Sequence, residues 1–205
     1  MDGFVAGLQV AGIAYAIGSI PTAWLVGRLA AGVDVRTAGE GNVGARNVFH
    51  VVGRGWGAVV LAADIGKGVA AVLLFGDGPL WRLVVAGAFV VIGHAYPVWL
   101  GFVGGKGLAA AGGFLIAIAP VGAAVGTLVA GLVWLVRGRF LPTAIAAIVG
   151  TFVAAPITGA SWDELMVALG VFLLVAVKRA ADETRMREVE AKTGWDRVRG
   201  GSRRS

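Results

Sequence analysis

The sequence contains no cysteine. That absence excludes disulfides, thiolate metal sites and a cysteine nucleophile together. Only two histidines are present, His50 and His94, so a multi-histidine metal site is not expected. The chain also lacks a soluble basic domain. Its net charge of +6 lies mostly beside apolar runs or in the segment after Lys178, where anionic lipid headgroups are nearer partners than nucleic acid. No nucleic-acid partner is therefore expected. The first apolar run has no basic start and is followed by further runs, so it reads as a retained helix and not as a cleaved leader. No internal repeat of the kind that marks inverted-repeat transporters is evident.

What is present in quantity is apolar surface. Hydrophobic residues make up 58% of the chain and the mean hydropathy is +0.82, against roughly half apolar content in soluble domains. Apolar segments run from Phe4 to Val26, Trp56 to Phe75, Leu80 to Leu100, Leu108 to Val136, Phe140 to Ile157 and Trp162 to Val177. This pattern predicts an all-α, polytopic integral membrane protein. Pro120, with Gly122 and Gly126, interrupts the fourth run, which is either one tilted helix or two passes hinged at the proline. Two passes put Arg36, Arg46, Arg54, Lys106, Arg137, Arg139, Lys178 and Arg179 on one face, as the positive-inside rule favours. The expectation is seven passes, with the N-terminus outside and the C-terminus cytoplasmic. Leu108 to Ala119 is only about 18 Å long as a helix, so it must be tucked among its neighbours.

Frequent small residues, including Gly87, Gly93, Gly112 and Gly113, suit close helix approach in lipid. Residues 1–178 read as the membrane domain. Residues 179–205 read as a basic cytoplasmic tail, helical at first and disordered at its end, that adheres to anionic lipid.

Two glycine-rich stretches beside the apolar runs carry the chemistry. In GEGNVGARN, Gly39, Gly41 and Gly44 permit backbone angles that aim amides at one anion; Asn42 and Asn47 add neutral donors and Arg46 a charge. A glycine-rich turn into a packed helix is the plain alternative. In GGKG, Lys106 stands between glycines after a run ending in His94, Tyr96 and Pro97, presenting a cation at the interface with little shielding. Together they suggest a membrane protein that handles a phosphorylated substrate. Asp64 and Lys67 lie three apart on one helical face and are expected to pair, with a structural or a catalytic role equally open. His94 is either a satisfied interior imidazole or a donor to substrate.

These residues resemble the bacterial acyl-phosphate:glycerol-3-phosphate acyltransferases of the PlsY type. The similarity rests on GSIPTAWLVGRL (Gly18 to Leu29), DVRTAGEGNVGARN (Asp34 to Asn47), DIGKG (Asp64 to Gly68) and GHAYPVWLGFVGGKG (Gly93 to Gly107), in order. The resemblance implies a seven-helix fold in the bacterial plasma membrane, with the motifs cytoplasmic. It implies acyl transfer from acyl phosphate to the primary hydroxyl of glycerol 3-phosphate, giving lysophosphatidic acid and phosphate, with no cofactor or metal. The donor is already activated, so the protein must mainly hold two anionic substrates and stabilise developing charge. In the family the donor's own phosphate is thought to take the hydroxyl proton. By carry-over, Lys106, Asn42 and His94 are the candidates at the reacting centre. Gly39, Glu40, Gly41, Gly44, Arg46, Asn47, His50, Asp64, Lys67, Gly104, Gly105, Gly107 and Thr143 are the candidates for substrate binding.

The departures from the family are specific. Glu40 puts a carboxylate where the family usually has a serine in GSGN, and it repels phosphate unless paired or turned away. The family's ATN, followed three residues later by arginine, reads here as ARN followed by His50. Arg46 and His50 share a face if this stretch is helical, so Arg46 can replace the displaced arginine. Val103 and Ala110 replace a lysine and a threonine common in the family. Pro142 and Thr143 stand near expected serines, and KRAADETRMRE has no clear match to the family's histidine and asparagine. Two alternatives follow: a non-catalytic paralogue that binds lipid or a partner, and an acyltransferase with another acceptor. A small-anion transporter is disfavoured because the charges gather at one face.

Overall fold

The computed structural model describes residues 2–195, which form helices and turns with no strand among them. Four segments are long and apolar enough to cross a membrane: Gly3–Ala31, Arg54–Phe75, Leu80–Leu100 and Pro120–Arg137. Leu108–Ile118 and Leu141–Ala154 are shorter apolar helices.

The first run is not one helix. α1 (Asp2–Ser19) stops and α2 (Thr22–Ala31) begins after Pro21, because proline has no N–H and its ring displaces the carbonyl one turn back. At the break the Ile20 carbonyl accepts from the Thr22 N–H at 2.9 Å and from Lys67 Nζ at 2.7 Å. By hydropathy alone Phe4 to Val26 reads as one uninterrupted helix. The proline decides otherwise.

α2 ends at Gly32 in the left-handed conformation. A loop leads into the short α3 (Ala45–Val51), and then into α4 (Arg54–Phe75) and α5 (Leu80–Ala95). After a 3-10 turn at Val98–Leu100 and the GGKG loop comes α6 (Leu108–Ile118). α6 and α7 (Pro120–Arg137) are separate helices with the break at Ala119 (φ −132°, ψ 66°), so the interruption read at Pro120 is real. α6 is held inside the bundle, with Ala110, Ala111, Gly113, Phe114 and Leu115 buried. Its contact with α4 is backbone on backbone. A Cβ on Gly68 would stand 1.9 Å from Ala110 O, and one on Gly113 2.0 Å from Ile65 O.

The core gathers α1, α4, α5, α6 and α9 around Phe114, Leu165, Val90 and Val91. α7 and α8 (Phe140–Ala154) form a hairpin in which Gly126 meets Ala147 and Thr151. The hairpin joins the core through Ala119 and Ala155 and through Phe152, whose ring lies 6.3 Å from that of Phe172.

α9 (Trp162–Thr193) runs as one helix, closed by Gly194 in the left-handed conformation. No break marks the boundary read between residues 178 and 179. Lys178, Asp182 and Met186 are buried, and with Arg185, Val189 and Thr193 they form one stripe at helical spacing. The disorder expected at the chain's end concerns residues 196–205, which lie outside the described residues.

Candidate functional site

The loop between α2 and α3 is held by two hubs. Asp34 accepts from Arg36 Nη2 at 2.7 Å, Arg28 Nη2 at 3.2 Å and Trp24 Nε1 at 3.4 Å, while Arg36 Nη1 reaches Leu100 O. The Arg36 hydrogen bonds hold the Asp34 carboxyl down at about 2, against the opposing effect of burial, and hold the guanidinium of Arg36 above its usual range. The second hub is Asn47. Its Nδ2 donates to Val35 O, Ala38 O and Asn42 O at 2.8–3.0 Å, and its Oδ1 accepts from the Glu40 N–H at 3.1 Å. Sequence reading had Asn47 as a donor to the anion. Its amide is instead engaged inside the loop, where it shapes the path of Gly39 to Asn42.

That path requires glycine at two points. Gly39 and Gly41 have φ of 60° and 66°, a region that side chains strongly disfavour. A Cβ on Gly41 would also stand 2.7 Å from Val189 of α9. Gly44 is extended and opens α3. The loop is clasped from outside by α9: Thr193 Oγ1 donates to Gly39 O at 2.7 Å and Arg185 Nη1 to Gly41 O at 3.3 Å. In the sequence α9's last turns read as a tail that adheres to lipid, with no site residue among them. The spacing of Lys178, Asp182, Arg185, Val189 and Thr193 on one helical face was the available signal.

Glu40 is buried, with only 1% of its surface exposed. Its Oε2 lies 3.4 Å from Arg46 Nη1. This pairing answers the expectation that the carboxylate repels phosphate unless paired. Its Oε1, like Asn42 Oδ1, is buried without a hydrogen-bond partner among the described residues. Arg46 and His50 both lie in α3, which is helical as the four-residue spacing assumed. The His50 ring stands 5.0 Å from that of Trp195.

The second glycine stretch lies along the end of α5. Gly104 N–H donates to Ala95 O and Gly105 N–H to His94 O, both at 3.1 Å. A Cβ on Gly105 would stand 2.3 Å from His94 Nε2 and 2.4 Å from Val43 O, so the backbone passes between the imidazole and the first loop. Gly107, at φ 82°, opens α6. Lys106 is thereby presented beside that loop. Burial lowers its ammonium below the usual lysine range, Arg179 and Arg46 add repulsion, and Glu40 and Glu190 oppose the shift. Lys106 thus lies within electrostatic reach of Glu40, Arg46, Arg179 and Glu190, from the first glycine loop, α3 and α9.

A polar cluster lies deeper. Asp64 Oδ1 pairs with Lys67 Nζ at 2.6 Å, accepts from Thr22 Oγ1 at 2.7 Å and stands 3.7 Å from His94 Nδ1. Lys67 also reaches Ile20 O and Thr22 Oγ1. A cavity of about 10 Å³ lined by Thr22, Val43, Lys67 and His94 adjoins it, room for about one water. The expected Asp64–Lys67 pairing is present, and its geometry braces the helix break.

Thr143 is placed elsewhere. Its hydroxyl donates to Arg139 O one turn back, and α8 packs on α7 and not on the glycine loops. The sequence reading that had Thr143 contacting substrate finds no support in this placement, because the hairpin meets the core only at its opposite end. Among the described residues, no three His, Asp or Glu side chains gather as a metal site.

Comparisons with known proteins point to one family. The family profile described as glycerol-3-phosphate acyltransferase matches residues 8–188. A relative of that name from Rubrobacter xylanophilus is 45% identical over 145 residues, 69% of this chain and 70% of the relative. Another from Desulforudis audaxviator is 35% identical over 184 residues, covering 87% of this chain and 91% of the relative. The crystal structure of PlsY (YgiH), an integral membrane glycerol 3-phosphate acyltransferase, in its glycerol 3-phosphate form, superposes with a TM-score of 0.73 at 32% identity. That match covers 93% of this chain and 94% of PlsY. The lysophosphatidic acid form gives a TM-score of 0.71. With the profile spanning both glycine loops and nearly all of α9, this chain belongs to the glycerol-3-phosphate acyltransferase family of integral membrane proteins.

Proposed function

We propose that this protein transfers a fatty acyl group from an acyl phosphate to the primary hydroxyl of glycerol 3-phosphate, releasing lysophosphatidic acid and inorganic phosphate. The observation that carries the reading is that Arg46, paired with Glu40 of the glycine loop, lies within electrostatic reach of Lys106 in a chain of this family. The substrate hydroxyl oxygen attacks the acyl carbon, and the bond from that carbon to the phosphate oxygen breaks. The departing phosphate takes the hydroxyl proton, so the protein need not supply a base. Lys106 and Arg46 neutralise phosphate charge, and Lys106 does so from a partly desolvated position where its field is strong. The amides of Asn42, Val43 and Gly44 complete the anion cradle, because those of Glu40 and Gly41 are bound within the loop. Asn47, Asp34 and α9 hold the cradle in shape. His94 and the Asp64–Lys67 pair anchor the GGKG loop and the helix break from below.

The chain crosses the membrane seven times in this reading: α1 with α2, then α4, α5, α6, α7, α8 and α9. The N-terminus is outside, and the site faces the cytoplasm of a bacterial plasma membrane. Support comes from the basic groups that this topology places on one side. A binding paralogue without turnover is the second reading, favoured by Thr143, whose hydroxyl is bound within its own helix, in a hairpin where α8 packs on α7.

The test is phosphate release by the purified protein in lipid, given a long-chain acyl phosphate with and without glycerol 3-phosphate. Release should require both substrates, and Lys106→Ala should lower it by about 10²–10³-fold. A folded protein that releases no phosphate would point to the paralogue.

A further inference from the structure

The carboxylate of Glu40 is an anomaly in a site that must attract phosphate. It is buried, and one oxygen is near Arg46 while the other has no hydrogen-bond partner among the described residues. A buried acceptor left unpaired costs free energy, so the folded site holds unused capacity to accept a hydrogen bond. The backbone cannot relieve it. Gly39 and Gly41 are fixed on either side by Thr193 and Arg185, and the Glu40 N–H is tied to Asn47. The carboxylate is therefore preorganised. Arg46 on one side and the field of Lys106 nearby keep it compatible with an anionic substrate.

A carboxylate can only accept, so its natural partner is a hydroxyl and not a phosphate oxygen. Glycerol 3-phosphate has two hydroxyls. One reacts, and the other, on the central carbon, is a donor with no part in the chemistry. We propose that Glu40 Oε1 accepts a hydrogen bond from the central hydroxyl of the acceptor, making Glu40 a specificity-determining residue of this chain. This assignment rests on the acyl-transfer reading. It turns a position that donates to phosphate in the family, where serine is usual, into one that selects the alcohol.

The test uses the full-length protein in lipid bilayers with a long-chain acyl phosphate, comparing glycerol 3-phosphate with 3-hydroxypropyl phosphate, which lacks only the central hydroxyl. Wild-type protein should prefer glycerol 3-phosphate by about ten- to a hundredfold in kcat/KM, the range expected for a hydrogen bond to a charged group. Glu40→Ser, the residue usual in the family, should narrow that preference about tenfold, mostly through glycerol 3-phosphate. Glu40→Gln keeps the size and one acceptor oxygen and should retain more of the preference than serine does. If both variants change kcat/KM for the two acceptors by the same factor, Glu40 acts only on the charge of Arg46 and the assignment is overturned. Wild-type protein silent with both acceptors overturns the acyl-transfer reading and this assignment with it.

Discussion

At the scale of single residues, charge in partly dry surroundings decides most outcomes. Burial lowers the Lys106 ammonium below its ordinary 10.5, so its charge is lost earlier as pH rises. The kcat/KM of the protein should fall on the alkaline side below 10.5. Lys106→Arg should move that limb upward, because a guanidinium stays charged. Stability moves the other way. Between the lowered folded value and 10.5 the unfolded chain binds more protons, so stability at this residue rises with pH across that window. Lys67 makes a contrasting case. Its pair with Asp64 is almost fully buried, and removing one partner of such a pair costs about 3–5 kcal/mol. Lys67→Met should therefore lower the thermal midpoint in detergent strongly, and adding Asp64→Asn should recover part of the loss. Failure of the double variant to recover would assign the pair a role beyond bracing.

At the scale of elements, the helices were legible where hydropathy and proline spoke together. The break at Pro120 and the burial of the short α6 both followed from length and composition. The break at Pro21 was equally available, but the apolar residues around it masked the proline. α9 was harder. Its second half is polar and reads as a tail, and only its docking on Gly39 and Gly41 shows it as part of the site. The site was legible as two glycine loops, yet which side chains face substrate was not. Asn47 carries the same donors whether it holds a phosphate or its own loop, and only three-dimensional placement separates the two. The α4–α6 contact makes a sharp prediction at this scale. A Cβ at Gly68 would collide with the Ala110 carbonyl, whereas one at Gly66, in the same helix, meets nothing within 4 Å. Gly68→Ala should destabilise by about 1–3 kcal/mol and Gly66→Ala should not, as judged by thermal midpoints measured side by side.

At the scale of the whole molecule, the chain offers a direct test of its topology, because it has no cysteine to remove. With seven passes, Asp77→Cys should react with a membrane-impermeant thiol reagent added outside intact cells. Arg54→Cys and Arg139→Cys should react only after the membrane is opened. Labelling of Arg139→Cys from outside would merge α6 and α7 into a single pass and put the charges of the α7–α8 turn on the other face.

The kink at Ile20 also has a history. The ribosome makes α1 and α2 first, yet the lysine that binds the Ile20 carbonyl lies 47 residues further along the chain. Until α4 enters the bilayer, that carbonyl has only the neighbouring Thr22 N–H as a partner, and its second lone pair waits for Lys67. The first transmembrane segment thus gains its last polar contact at the kink only when the second arrives. Insertion becomes a two-step commitment, and a defect at Lys67 should appear first as a poor yield of inserted protein, before any loss of turnover by the molecules that complete assembly.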